Sequence, residues 1–132
     1  MIKVLIVDDS ALIRSLLKTL LSSESDIHVV GTAPDAYVAR DMVNKFAPDV
    51  ITLDIEMPKV DGITFLSKLM KARPTPVLMI STLTEKGADA TLKSLELGAI
   101  DYIAKPKIGV KEGMEAYREL IVEKVRLAAS TK

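Results

Sequence analysis

Two apolar runs in this chain end on acid. The first, in MIKVLIVDDSALIR, runs straight into Asp8 and Asp9; the second, Val50 to Leu53, runs into Asp54. Helix capping accounts for one such acid, because Asp9 or Ser10 can accept backbone N–H bonds where a helix begins. It does not account for three. Carboxylates brought together repel one another and hold their protons unless a cation compensates. A hard divalent ion with oxygen ligands, above all Mg2+ with several retained waters, suits such a cluster, and Mg2+ commonly brings phosphate with it. Downstream, Ser81 and Lys105 also end apolar runs. Singly, Ser81 reads as a turn residue and Lys105 as a solvated lysine. Together at adjacent strand ends, a hydroxyl and an ammonium suit phosphoryl oxygens. Lys105 precedes Pro106, and an X-Pro bond at a tight turn is where a cis peptide can aim a side chain inward.

These side chains meet only if particular elements carry them. The runs IKVLIV (2–7), HVVGT (28–32), VITL (50–53), PVLMI (76–80) and DYIA (101–104) are short and nearly continuous in apolar character. That pattern predicts strands buried on both faces. Between them, apolar residues recur at helical spacing: Ile13, Leu16, Leu17, Leu20 and Leu21; Val38, Ala39, Met42, Val43 and Phe46; Ile63, Leu66, Leu69 and Met70. Ala88, Thr91, Leu92 and Leu95 follow, then Met114, Tyr117, Leu120, Ile121 and Val125. Each stripe reads as core. Alternating strands and helices predict an α/β fold, a doubly wound five-stranded parallel sheet of order 2-1-3-4-5 flanked by five helices. In that order strands one and three are neighbours, so Asp8, Asp9 and Asp54 converge at the carboxyl edge of the sheet. Charged residues on the last helix, Lys111, Glu112, Glu115, Arg118, Glu119, Glu123 and Lys124, read mostly as a solvated face.

The chain has 132 residues, enough for one core, and Lys+Arg and Asp+Glu are 18 each. A balanced charge speaks against nucleic acid or an anionic membrane surface as the partner. With no Cys and a single His28, disulfides, thiolate zinc sites and paired-imidazole sites are excluded. No run is long enough for a membrane span, and the first apolar run ends on acid rather than at a signal-cleavage site, so the expected location is cytoplasmic.

The ordered set Asp8-Asp9 after strand one, D-x-x-x-P-x-x-D-G (54–62) after strand three, Ser81 after strand four and Lys105-Pro106 after strand five resembles the response-regulator receiver domain of two-component signalling. The resemblance covers residues 2–128. It implies that Asp54 is the phosphoacceptor, a carboxylate nucleophile that takes a phosphoryl group from a histidine kinase. It implies Mg2+ held by Asp9 directly, by Asp8 largely through water, by Asp54, and by the backbone carbonyl of Glu56. Ser81 and Lys105 then hold the phosphoryl oxygens, and Tyr102 is the switch aromatic. The segments VVGTAPDAYVARD (29–41), LDIEMPKVDG (53–62), STLTEKGADATLKSLELGAIDYIAKPK (81–107) and EGMEAY (112–117) are similar to the receiver of the chemotaxis protein-glutamate methylesterases. That likeness implies a chemotaxis-type kinase as partner and chemoreceptors as indirect ones. It also implies a methylesterase domain in cis that phosphorylation releases from inhibition.

On this reading residues 1–128 are the receiver and 129–132 begin a linker to a catalytic domain outside the sequence. The 132 residues hold no G-x-S-x-G, so ester hydrolysis by a Ser-His pair is not expected of them. A stand-alone single-domain response regulator is the alternative. An aspartate-nucleophile phosphatase is a weaker rival, since Glu56 stands where its second aspartate is needed. An EF-hand loop from Asp54 fails, because Pro58, Lys59 and Phe65 occupy required positions. A Rossmann site lacks G-x-G-x-x-G, and Asp8-Asp9 would repel the FMN phosphate of a flavodoxin.

Overall fold

Each apolar run forms a strand, and all five strands are parallel. The computed structural model describes residues 1–82, 84–107 and 109–131. In chain order the elements are β1 (Ile2–Val7), α1 (Ala11–Ser22), β2 (Ile27–Ala33), α2 (Ala36–Phe46), β3 (Val50–Asp54), α3 (Gly62–Ala72), β4 (Val77–Ser81), α4 (Glu85–Glu96), β5 (Asp101–Ala104) and α5 (Met114–Ser130). The sheet order is β2-β1-β3-β4-β5, as the strand-helix alternation predicts. None of the helices is long and apolar enough to cross a membrane, among the described residues.

Alternation along the central strands builds two cores. Leu5, Val7, Ile51, Leu53 and Met79 point toward α2 and α3. Val4, Ile6, Val50, Leu78 and Ile80 point toward α1 and α5. Burial on both faces holds for β3 and β4 but not for the outer strands. Most of β2 is only half-buried, and in β5 Tyr102 is 48% exposed. Both lie at sheet edges with a neighbour on one side, and a helix covers such a strand incompletely.

Side-chain caps fix where the helices start. Ser10 Oγ accepts from Ile13 N at 3.2 Å, Asp35 Oδ1 from Val38 N at 3.0 Å, Asp61 Oδ1 from Thr64 N at 2.8 Å and Thr84 Oγ1 from Gly87 N at 2.9 Å. Each satisfies a donor left over in the first turn. Ser10 is thus the cap of α1, which frees Asp8 and Asp9 from that duty.

Two predicted stripes are corrected. On α4, Ala88 is exposed and Leu92 is 62% exposed, while Gly87, Thr91 and Ser94 are buried. The buried hydroxyls bond back to their own helix, Thr91 Oγ1 to Gly87 O at 2.8 Å and Ser94 Oγ to Ala90 O at 2.9 Å, so burial leaves them satisfied. On α5, Leu120 is exposed, and Val122 and Ala128 are buried alongside Ile121 and Val125. The polar face of α5 is also less solvated than its composition implies. Arg118 Nη1 pairs with Glu24 at 3.0 Å, Lys124 Nζ with Asp101 at 2.7 Å and Arg126 Nη2 with Asp26 at 2.9 Å, which ties the helix to β5 and to the α1–β2 turn. No peptide bond among the described residues is cis, so Lys105–Pro106 is trans.

One buried group works against stability. Thr52, between Ile6 and Leu78 in the sheet, is fully buried, and its hydroxyl has no hydrogen-bond partner among the described residues. Leaving a hydroxyl unsatisfied in an apolar interior costs about 1–3 kcal/mol. Thr52→Val is therefore expected to stabilise the domain by about 1 kcal/mol, read as a higher urea midpoint with unchanged slope.

Candidate phosphoryl and metal site

The carboxyl ends of β1 and β3 deliver the acids. Asp8 directly follows β1 and Asp54 ends β3; both are 0% exposed, whereas Asp9 reaches solvent. One carboxylate oxygen from each of Asp8, Asp9 and Asp54 lies within 4.8 Å of the others. The convergence expected from strand order is therefore present.

Backbone and lysine groups hold these acids in place. Asp8 Oδ1 accepts from Ser10 N at 2.9 Å, and Arg14 Nη1 donates to Asp8 O at 2.8 Å. Asp54 Oδ1 accepts from Glu56 N at 3.1 Å and lies 3.1 Å from Lys105 Nζ. Glu56 thus contributes its backbone, while the residue is exposed. The second oxygens, Asp8 Oδ2 and Asp54 Oδ2, are buried with no partner among the described residues. Two carboxylate oxygens without partners in one acidic cluster fit a hard divalent cation, which takes carboxylate oxygens as ligands.

Electrostatics point the same way. Burial, then the charge of Asp8, pushes the Asp54 carboxyl up to about 7 from its ordinary 3.8, against the opposing pull of Lys105. Asp8 is raised as well, by burial first, with the Ser10 N–H and Lys105 opposing. Burial alone would pull the Lys105 ammonium down, but the charges of Asp54, Asp8 and Asp9 outweigh it and the net shift is upward. One ammonium does not neutralise this cluster.

Ser81 ends β4, is 5% exposed, and its carbonyl accepts from Lys105 N at 2.9 Å. Ser81 and Lys105 are therefore neighbours at the rim, as their strand positions require. Tyr102 sits apart on β5, with Lys124 Nζ 5.8 Å from its ring centre. An open cleft of about 760 Å3 leads to the site, bordered by Asp9, Glu56, Met57, Lys86 and Lys105. Lys86, in the first turn of α4, was not legible beforehand; no motif marks it. A buried carboxylate with one free oxygen, an ammonium on the other, two companion acids and a hydroxyl can accept and hold a metal-bound phosphoryl group.

A family model described as the response regulator receiver domain matches residues 4–118, and the chain belongs to that family. Within it, protein-glutamate methylesterases are among the chain's similar relatives. Over 131 residues the chain is 62% identical to the protein-glutamate methylesterase/protein-glutamine glutaminase 2 of Pseudomonas aeruginosa, covering 99% of this chain and 38% of that protein. Over 128 residues it is 59% identical to the protein-glutamate methylesterase/protein-glutamine glutaminase of Escherichia coli, covering 97% of this chain and 37% of that protein. The crystal structure of the response regulator domain of Thermotoga maritima CheB matches with a TM-score of 0.87 at 43% identity, covering 98% of this chain and 97% of that chain. The chain spans less than two-fifths of the length of the curated relatives it matches.

Proposed function

We propose that this receiver accepts a phosphoryl group on Asp54 in a Mg2+-dependent reaction, from a chemotaxis-type histidine kinase. The observation that carries the reading is Asp54 itself: buried, with Oδ1 3.1 Å from Lys105 Nζ and Oδ2 unpartnered. Asp8, Asp9, Asp54 and the carbonyl of Glu56 would hold Mg2+, which when bound neutralises charge on the phosphoryl group and its acceptor.

The chain's own residues do the rest. The Asp54 carboxylate attacks phosphorus in line. The bond from phosphorus to the donor imidazole nitrogen breaks, its electron pair stays on the imidazole, and that ring takes a proton from solvent. Lys105 exchanges its contact with Asp54 Oδ1 for a phosphoryl oxygen, and the Ser81 hydroxyl donates to another. Attack of water on phosphorus later returns Asp54 and inorganic phosphate. The added charge of about −1.5 to −2 draws Ser81 and Lys105 inward. The loops after β3 and β4 then reposition, Tyr102 changes rotamer, and the face formed by α4, β5 and α5 changes what it binds.

The relatives' names extend the reading to the whole protein. Residues 1–128 are the receiver unit and 129–132, of which Ala129 and Ser130 still belong to α5, lead toward a linker. The unphosphorylated receiver packs over a protein-glutamate methylesterase domain in cis, acting on chemoreceptors in the cytoplasm, and phosphorylation releases it.

Acetyl phosphate with Mg2+ tests the core of this. The chain should gain one phosphoryl group per molecule by mass spectrometry, and Asp54→Asn should gain none. Repeated turnover of a phosphomonoester with no label on Asp54 would mark a phosphatase and overturn the reading.

A further inference from the structure

The Ala104–Lys105 peptide carries one of the two residues assigned to the phosphoryl oxygens and hydrogen-bonds to the other, Ser81, and it is held on both sides. The N–H of Lys105 donates to Ser81 O at 2.9 Å. On the other side of the same planar unit, Ala104 O accepts from the Tyr117 hydroxyl at 2.6 Å. Fixing both ends of a planar peptide fixes its orientation, and the Lys105 side chain that reaches Asp54 leaves from its edge. The Tyr117 side chain is packed against the core beneath α1 and α5, so the hydroxyl is delivered from a rigid base. Gly113 at the N-cap of α5 makes no side-chain hydrogen bond, and the pairing of Arg118 with Glu24 anchors this end of the helix to the α1–β2 turn but not to β5, which leaves Tyr117 to link it to the strand. The phenol also stays a donor across the neutral range: burial, then the charge of Asp8, pushes its pKa up.

We propose that Tyr117 is a positioning residue for phosphoryl transfer: its hydroxyl pins the Ala104–Lys105 peptide, and so sets Lys105 and Ser81 against Asp54. This rests on the phosphoacceptor reading. Tyr117 touches no reacting atom and acts through the peptide alone. When Ser81 and Lys105 close on a phosphoryl group, that peptide is the mechanical link by which α5 feels the change.

Tyr117→Phe keeps the ring and removes only the hydroxyl. Expected are two effects, each about two- to tenfold, the range of one net hydrogen bond: faster hydrogen exchange at the Lys105 amide without Mg2+ or phosphodonor, and slower uptake of phosphate from acetyl phosphate with saturating Mg2+. Val125→Ala, a cavity in the core on the same helix, serves as the stability control. It should lower the thermal midpoint at least as much while leaving both readouts at their unsubstituted values. Unchanged exchange and uptake in Tyr117→Phe would overturn the proposal, as would Val125→Ala reproducing both effects, which would reduce Tyr117 to packing. If the unsubstituted chain takes up no phosphate, the phosphoacceptor reading falls, and the Lys105 exchange comparison still decides whether Tyr117 pins the peptide.

Discussion

At about pH 8 without divalent cations, Asp54→Asn is expected to unfold at a higher temperature than the unsubstituted chain. Burial and the neighbouring Asp8 charge raise the Asp54 carboxyl from 3.8 to about 7. A carboxyl whose pKa is raised by folding stabilises the fold fully below its unfolded value and loses that contribution as pH rises through its folded value. For Asp54 the loss falls between about pH 4 and 7 and amounts to roughly 4 kcal/mol at 1.36 kcal/mol per pH unit. In a domain of this size that is on the order of 10 °C in Tm. Asp8 shifts the same way. The lowered carboxyls, Asp26, Asp35, Asp101 and Glu115, act oppositely, since their contribution is lost only as pH falls through and below the ordinary carboxylate range. The span from about pH 5 to 8 therefore isolates the acidic pocket. Asparagine removes the titration and flattens the slope. Millimolar Mg2+, bound by the folded state alone, should raise Tm at about pH 8 by mass action and much less at about pH 5, where protons compete. Thermal unfolding at several pH values, with and without Mg2+, measures all of this. Equal pH slopes for the two chains would show that Asp54 is not the strained group.

Much of this site was readable from letters. The runs 2–7 and 101–104 form strands with those same limits, and the other three shift by about a residue. Strand ends and sheet order together sufficed to bring Asp8, Asp9 and Asp54 into one cluster. What failed was any judgement of cover. A run such as DYIA looks buried by its letters, but burial belongs to its place in the sheet, and at the edge Tyr102 stands half in solvent. On α4, counting apolar letters chose Leu92 over Ser94, because a serine that bonds its own helix carbonyl is indistinguishable in sequence from one that needs water. Tyr117 read as one more member of an apolar stripe. Its role depends on where the Ala104 carbonyl points, and no residue spacing encodes that.

Gly62→Ala is expected to be the most damaging small substitution in the chain. Gly62 is the first residue of α3, and its N–H donates to Ile55 O at 2.8 Å, clamping the helix start against the end of β3. A Cβ there would lie 2.2 Å from Asp54 O, 2.8 Å from Ile55 Cα and 3.0 Å from Asp54 C. These are backbone atoms, so no rotamer change relieves the overlap. The glycine is outside the left-handed region, so the penalty is one of space alone, and alanine's better helix propensity offsets it by at most about 1 kcal/mol. Opening the β3–α3 junction enough to admit a methyl group costs on the order of 3 kcal/mol. It also drags the Asp54 peptide away from Asp8. The expected result is a lower urea midpoint together with at least tenfold weaker Mg2+ binding in the fraction that remains folded, the latter equivalent to about 1.4 kcal/mol. Gly109→Ala separates the two kinds of glycine. Gly109 has φ +80 and nothing within 4 Å of a built Cβ, so it should lose only about 1 kcal/mol from backbone strain and keep its affinity for Mg2+. If Gly62→Ala matched Gly109→Ala on both measurements, the close approach of α3 to the acidic strand end would not be what holds Asp54 in register.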